Sequence, residues 1–248
     1  MKQDDFAGIG LAAMVGDRYL AQTHEVLNQP AALVDYNLYA SDRALRQAVG
    51  TQGGQAAEAA LLAFGARLGS GDFLALGEQA NRYPPELDTH DRFGHRIDLV
   101  RFHPAYHALM ETSLGAGMHA APWRSPGSGA HVARAAKFFM MSQVEAGHCC
   151  PVTMTFAAVP ALRHQPELAA LWESRITADG YDPRNVPADR KAALTIGMAM
   201  TEKQGGSDVR ANTTHAFPVG REGPGQAYEL VGHKFFVSAP MCDAFLTL

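Results

Sequence analysis

The chain has 248 residues, 47 % of them hydrophobic and 19 % charged, with a net charge of −4. This is the size and composition of one large globular domain or two, and the acidic balance gives no overall pull towards nucleic acid. Three cysteines (Cys149, Cys150 and Cys242), none in a Cys-x-x-Cys pair, exclude a disulfide framework and make a reducing cytoplasm the default setting.

The apolar stretch Gly8 to Val15 is preceded by Asp4 and Asp5, where a signal peptide needs positive charge. No apolar run reaches membrane-spanning length, so a cytoplasmic protein without membrane contact is expected. Gln29 to Ala40 reads as an irregular lead-in. Ser41 is a fitting N-cap for a first helix through Val49, which Gly50, Gly53 and Gly54 end. A second helix runs from Gln55 to about Leu68. Ser70 caps a third through about Asn81, and Pro84-Pro85 stops it. Glu86 to Val100 is a polar stretch with a turn at Gly94. Pro104 opens a helix to about Gly115. The helix His131 to Gly147 is apolar around most of its circumference, with Arg134, Lys137 and Glu145 on one narrow stripe, and it places Gln143 inside. Pro151 opens a further apolar helix to about Leu162, and Pro166 another to Ile176.

After Pro187-Ala188-Asp189 the hydrophobic period changes from 3.6 to 2. Strand candidates are Leu194–Thr201, Thr214–Val219, Ala227–Val231, Lys234–Ser238 and Phe245–Leu248, with a hairpin turn at Arg221 to Gly225. A boundary therefore falls near residue 190, between a helical part and a β part, and the fold class is α+β. The β part ends on the apolar run Phe245 to Leu248. An open apolar edge invites aggregation, and about five short strands bury little, so a truncated β domain is expected.

The strand Leu194–Thr201 runs into a polar loop, Glu202 to Arg210. The loop offers the hydroxyls of Thr201 and Ser207 and the glycine pair Gly205-Gly206, whose backbone amides can approach a phosphate closely. An ordinary Gly-Gly turn has the same composition. The run Met200-Thr201-Glu202 through Gly206-Ser207-Asp208-Val209, however, resembles the FAD-holding Thr-Glu-x-x-x-Gly-Ser-Asp loop of acyl-CoA dehydrogenases. With Gly197 to Met200 before it and Asn212-Thr213-Thr214 after it, the stretch is closer to the AidB-like branch, flavoproteins of the bacterial adaptive response to DNA alkylation. The blocks Thr23–Tyr39, Arg101–Leu109, Val132–Ala157 and Leu230–Ser238 carry the same resemblance.

The resemblance implies an acyl-CoA dehydrogenase-like N-terminal helical domain at residues 23–190. It implies the start of an antiparallel middle β domain at 191–248, and an N-terminal extension at 1–22. The family's C-terminal helical domain would then be absent, and with it the glutamate that removes the α-proton of the thioester. No catalytic residue is assigned, and oxidation by this chain alone is not expected. The implied cofactor is FAD. Thr201, beside the Met200 backbone, would meet the flavin ring, and Gly206, Ser207, Asp208 and Val209 the pyrophosphate region. Phe236 would form a wall against the flavin and Ser238 would reach N5, with Ala239 and Pro240 continuing the contact. Met154, Thr155 and Phe156 would line the acyl pocket. Lys203 in place of the family's proline, and Phe236 in place of its tryptophan, set the chain apart from fatty-acid dehydrogenases. Implied partners are a homotetramer and double-stranded DNA bound through the absent C-terminal domain. An acyl-CoA dehydrogenase for short or branched acyl groups and a non-catalytic remnant are the alternatives.

His103 and His107 are spaced i, i+4 on one helix but lack a third ligand of known spacing, so no metal site is assigned. Cys149-Cys150 reads as a pair of small buried side chains. Gly127-Ser128-Gly129 precedes a helix and reads as a loop and cap before it reads as a phosphate site.

Overall fold

The computed structural model describes residues 25–248. Glu25 to Leu33 is irregular, and the expected extension 1–22 lies outside the described residues. From Val34 the chain forms one compact unit. Three helices open it: α1 (Arg43–Thr51), α2 (Glu58–Leu68) and α3 (Gly71–Arg82). Asp42 rather than Ser41 caps α1, its carboxylate accepting from Leu45 N at 2.8 Å, while the Ser41 hydroxyl donates to Asn37 O. Ser70 caps α3 as expected, accepting from Phe73 N at 3.3 Å.

The polar stretch that follows is a β-hairpin, β1 (Glu86–His90) with β2 (Arg96–Arg101), antiparallel and irregular between Asp88 and His90. Its strands are nearly all exposed, so Leu87, Ile97 and Leu99 give only a faint alternation. Gly94, at φ 84°, marks its turn. Then come α4 (Pro104–Gly115), the short α5 (Ala121–Arg124), α6 (Ala130–Val144), α7 (Cys149–Leu162) and α8 (Pro166–Ile176). Leu61, Phe64, Leu68, Leu109, Met110, Met140, Met141 and Val152 are among the buried side chains that join α2, α4, α6 and α7 in one core.

Helix α6 differs from its sequence reading. Arg134 and Lys137 are half-buried, and their charged ends turn to backbone carbonyls. Arg134 Nε donates to Met118 O at 2.7 Å and Lys137 Nζ to Ala116 O at 2.8 Å, supplying donors to carbonyls just past the end of α4. Burial lowers the pKa of both cations. The exposed stripe is His131, Ala135, Phe139 and Gln143, so Gln143 lies outside rather than inside. Gly129, at φ 77°, starts α6 where a Cβ would meet Gly53 O at 2.2 Å. The Gly127-Ser128-Gly129 loop is thus shaped by a close crossing with Gly53-Gly54.

The last part holds β3 (Ile196–Ala199), β4 (His215–Pro218), β5 (Tyr228–Val231) and β6 (Ala244–Thr247). β4 and β5 pair antiparallel, but β3 and β6 pair parallel, Ile196 opposite Ala244. The expected antiparallel domain is therefore a mixed set of two-stranded sheets. Asp243 fixes the parallel register. Its amide donates to Thr195 O at 3.0 Å and its carboxylate accepts from Thr195 N at 2.8 Å. The expected strand Lys234–Ser238 is not a strand, because Phe236 and Ala239 take φ of 55° and 54° and break the extended path. β3 packs on α7 and α8 through Ala158, Val159, Ile176, Leu194 and Ile196. Among the described residues no single helix is long and apolar enough to cross a membrane.

Candidate functional site

β3 is buried and delivers the chain to Met200 at the rim of the molecule. Gly197 is required there, since a Cβ would meet the Phe245 ring at 2.3 Å. Beyond Met200 the backbone finds a second partner. Phe235 N donates to Thr201 O at 2.9 Å, and Lys203 N donates to His233 O at 3.0 Å, so residues 201–203 run antiparallel to 233–235. This ladder brings Met200 and Thr201 beside the segment that carries Phe236, Ser238, Ala239 and Pro240.

The loop between is ordered by its own hydrogen bonds. Asp208 accepts from Arg210 N at 3.1 Å and caps a turn of 3-10 helix at Val209–Ala211. Asn212 Nδ2 donates to Met200 O at 2.9 Å. The loop wraps a small cavity of about 230 Å3 lined by Gly206, Ser207, Asp208 and Asn212. The hydroxyls of Thr201 and Ser207 take no part in these bonds, which run through Glu202, Gln204, Asp208 and Asn212. Among the described residues neither hydroxyl has a hydrogen-bond partner.

Glu202 is the residue the sequence reading passed over. It is 1 % exposed, and its carboxylate accepts from Thr213 N at 2.7 Å, Thr214 N at 2.9 Å, Lys234 Nζ at 3.0 Å and both threonine hydroxyls. These bonds, the Thr213 amide first, hold its pKa far below the usual carboxylate range. A signal was present: a carboxylate next to a buried strand, a Thr-Thr pair, and Lys234 amid apolar neighbours. None of these has a period, so periodicity could not find them.

Phe236 is 76 % exposed and so is not a core aromatic. Ser238 N donates to Phe236 O at 2.9 Å, closing a tight turn. Ser238, Ala239 and Pro240 then form one side of a cavity of about 420 Å3, whose other walls include Tyr83, Phe102, Tyr106, His148 and Pro151. The cavity is mostly aromatic and apolar, and Phe102 stacks on Tyr106 with ring centroids 4.0 Å apart.

The three expected pocket residues lie on α7. Met154 and Thr155 are buried. Thr155 Oγ1 donates to Pro151 O at 2.8 Å and accepts from Ile196 N at 3.0 Å, tying α7 to β3. Phe156 is stacked between Trp123, at 4.7 Å, and the Arg134 guanidinium, at 3.6 Å.

Other candidates have other duties. His103 caps α4 by accepting from Ala105 N, and His107 Nδ1 bonds Tyr181 Oη at 2.8 Å. Among the described residues no group of three or more His, Cys, Asp or Glu side chains is placed to hold a metal. Burial pushes the Cys149 thiol up to about 12 and the Cys242 thiol up to about 11, which leaves both unreactive at neutral pH. Ser113 Oγ, His148 Nε2 and Glu145 Oε2 form a hydrogen-bonded chain, with steps of 2.9 Å and 2.7 Å. The order is that of a hydrolase triad, but Ser113 is fully buried inside α4, so the chain braces α4 against the α6–α7 corner.

A helical layer that feeds a buried strand into a Thr-Glu-x-x-x-Gly-Ser-Asp loop defines a protein of acyl-CoA dehydrogenase type. Residues 28–183 match the family model described as adaptive response protein AidB N-terminal domain, and the chain belongs to that family. Over 229 residues it is 48 % identical to the putative acyl-CoA dehydrogenase AidB of Escherichia coli (strain K12), covering 92 % of this chain and 42 % of that one. It is 30 % identical over 210 residues to acyl-CoA dehydrogenase family member 11 of Caenorhabditis elegans, covering 84 % of this chain and 33 % of the relative. Among solved structures, Bd2924 in its apo form superposes with a TM-score of 0.72 at 28 % identity, over 86 % of this chain and 42 % of that one. C. elegans ACDH-11 in complex with C11-CoA gives 0.69 at 24 % identity, over 87 % and 36 %, a likeness of fold. The chain spans less than half the length of these relatives.

Proposed function

We propose that this chain carries the N-terminal helical domain (23–190) and the start of the middle β domain (191–248) of an FAD-binding, AidB-type protein of the response to DNA alkylation. The observation that supports the flavin site is the ladder between 201–203 and 233–235. It places Thr201 opposite Phe235, next to the exposed ring of Phe236. The donor set fits the cofactor. Thr201 and the Met200 backbone address the flavin ring, and Ser207 with the amides around Gly206, Asp208 and Val209 addresses the pyrophosphate. Phe236 would cover one ring face, Ser238 would reach N5, and Ala239 and Pro240 would extend the contact. Bound FAD would supply two-electron oxidation. The chain's residues bind and orient it, and none of them is assigned to proton removal. In the longer protein the same reading carries a homotetramer, double-stranded DNA binding through the C-terminal domain, and a cytoplasmic location.

The test is a titration of the 248-residue chain with FAD, followed by flavin fluorescence and visible absorbance. Binding that Thr201→Val and Ser207→Ala both weaken supports the reading. Flavin that keeps its free spectrum at every protein concentration overturns it for this chain.

A second reading, an acyl-CoA dehydrogenase for short or branched acyl groups, is favoured by the cavity of about 420 Å3 beside Ser238 to Pro240. In this reading α7 lines the pocket through Cys150 and Pro151, while Met154, Thr155 and Phe156 lie further along the helix and do not line this cavity. The C. elegans relative by name, and the C11-CoA complex by its ligand, favour an acyl-CoA, though not a short or branched acyl group. Protection of the chain's thermal unfolding by an acyl-CoA, but not by CoA alone, would support it, and equal effects would count against it.

A further inference from the structure

We infer that Glu202 is the positioning residue of the flavin site. Through Lys234 its buried carboxylate ties the Thr201–Ser207 arm to the Phe236–Ser238 arm, and it does so before any ligand arrives. The inference rests on the flavin reading above and assigns a role that the loop's exposed residues do not share.

Each arm is weakly supported by itself. Residues 203–205 and 207–211 are exposed, as are 235–238, and no hydrophobic cluster reaches them. The backbone ladder between the arms is short: Phe235 N to Thr201 O, Lys203 N to His233 O, and one bridge between Glu202 and Lys234. An edge ladder of this length at the molecular surface frays readily. What holds it is a side-chain knot in its middle. The Glu202 carboxylate takes Lys234 Nζ from the second arm at 3.0 Å and Gln204 Nε2 from its own. It takes the amides and hydroxyls of Thr213 and Thr214 from the segment that leaves the loop. Lys234 in turn reaches Met200 O at 3.4 Å, next to the expected flavin contact. Three chain segments thus converge on one buried anion, and charge-assisted bonds of this kind are about twice as strong as neutral ones. A ligand that must touch both arms binds more tightly when their spacing is already fixed.

Replacing the carboxylate acts on binding through the arms, since Glu202 itself, 1 % exposed, has no surface to offer a ligand. Glu202→Gln keeps the length of the side chain and removes the charge. Glu202→Asp keeps the charge and withdraws it from Thr213 and Thr214. Both are expected to weaken FAD binding about tenfold or more, from the loss of charged hydrogen bonds, and to return the visible spectrum of the bound flavin towards that of free FAD. Thr214→Val removes one hydroxyl, keeps the charge and should have a smaller effect in the same direction. In the flavin-free chain, amide hydrogen exchange at Lys203 and Phe235 should accelerate in Glu202→Gln, while exchange in α2 and α6 stays slow.

The outcomes separate the two claims. If the wild-type chain binds no FAD, the flavin reading fails, and the exchange rates at Lys203 and Phe235 still decide whether Glu202 holds the arms. If wild type binds FAD and Glu202→Gln matches it in affinity, spectrum and exchange, the flavin reading stands and the role given to Glu202 is overturned.

Discussion

The Thr155 hydroxyl accepts a hydrogen bond from the Ile196 amide at 3.0 Å, and this bond joins the middle of α7 to the first residue of β3. Both residues are buried, and Ile196 N has the hydroxyl as its partner on the side away from β6. Thr155→Val keeps the shape and leaves that amide unpaired. A buried donor left without a partner costs about 1–3 kcal/mol. Urea titration should show that loss for Thr155→Val, while Thr155→Ser stays nearer to wild type. An unchanged midpoint for Val would mean that the amide finds another acceptor.

Lys191 and Asp243 form a second buried link, Nζ to Oδ1 at 2.8 Å, with side chains 6 % and 5 % exposed. It ties the chain before β3 to the residue before β6. Asp243→Ala removes the partner of a buried ammonium and an acceptor for Thr195 N, and should destabilise by about 3–5 kcal/mol. Lys191→Met combined with Asp243→Asn removes both charges and keeps an acceptor for Thr195 N. Such a replacement is expected within about 1 kcal/mol of wild type. Chemical denaturation of the two variants checks the contrast, and equal losses would refute it.

His119 makes stability depend on pH. Its ring is 1 % exposed, and burial is the main cause that brings its pKa down from 6.5 to about 4, against the Nε2 hydrogen bond to Ala178 O. The unfolded chain takes up a proton near 6.5 and the folded chain only near 4. Stability from this residue is therefore full above 6.5, falls as the pH drops between the two values, and is gone below about 4. The whole effect is about 3 kcal/mol at one unit per 1.4 kcal/mol. Denaturation midpoints across that window should slope for wild type and flatten for His119→Gln. A slope that survives in the variant would assign it to another group.

How much of this was legible in the sequence depends on what kind of signal each feature leaves. The Pro104 and Pro166 helices, and the β3, β4 and β5 cores, were readable because proline placement and apolar period are local. The β1–β2 hairpin was not, because its strands are almost wholly exposed and show little alternation. The stripe of Arg134 and Lys137 was legible, but not its partners, because their long stems let the charged ends reach carbonyls past α4. The strand expected at Lys234–Ser238 had the right apolar residues, but Phe236 and Ala239 adopt left-handed backbone that no composition rule anticipates. The parallel β3–β6 pair is a long-range choice fixed by Asp243, a single residue with no pattern around it. The motif contains the loop hydroxyls and Glu202 alike, but the bonds of Glu202 to Thr213, Thr214 and Lys234 join segments far apart in sequence, which no local pattern reveals.

The acidic balance of the chain bears on nucleic acid. With 21 Lys and Arg against 25 Asp and Glu, it has no surplus of cations with which to release counterions from a duplex. A mobility shift with undamaged double-stranded DNA at moderate salt should therefore show no tight binding by these 248 residues. A tight, salt-sensitive complex would place a DNA surface in this part of the protein and reverse the assignment of that role to the C-terminal domain.

Gly206 gives the sharpest steric test of the loop. Its backbone lies against the Thr201 side chain, so that a Cβ would meet Thr201 Cγ2 and Oγ1, each at 2.8 Å. Gly205, one residue earlier, has nothing within 4 Å of the same position. Gly206→Ala must displace the Thr201 hydroxyl, the group proposed to meet the flavin ring, while the helical core is untouched. Folding stability should change by less than about 1 kcal/mol, in the range of surface substitutions, and FAD affinity should fall about tenfold, the equivalent of one hydrogen bond. Gly205→Ala adds the same methyl into open space and should leave affinity close to wild type. If the two alanines weaken FAD equally, the cause is loop stiffness rather than the Thr201 contact, and Thr201 loses its place at the flavin ring.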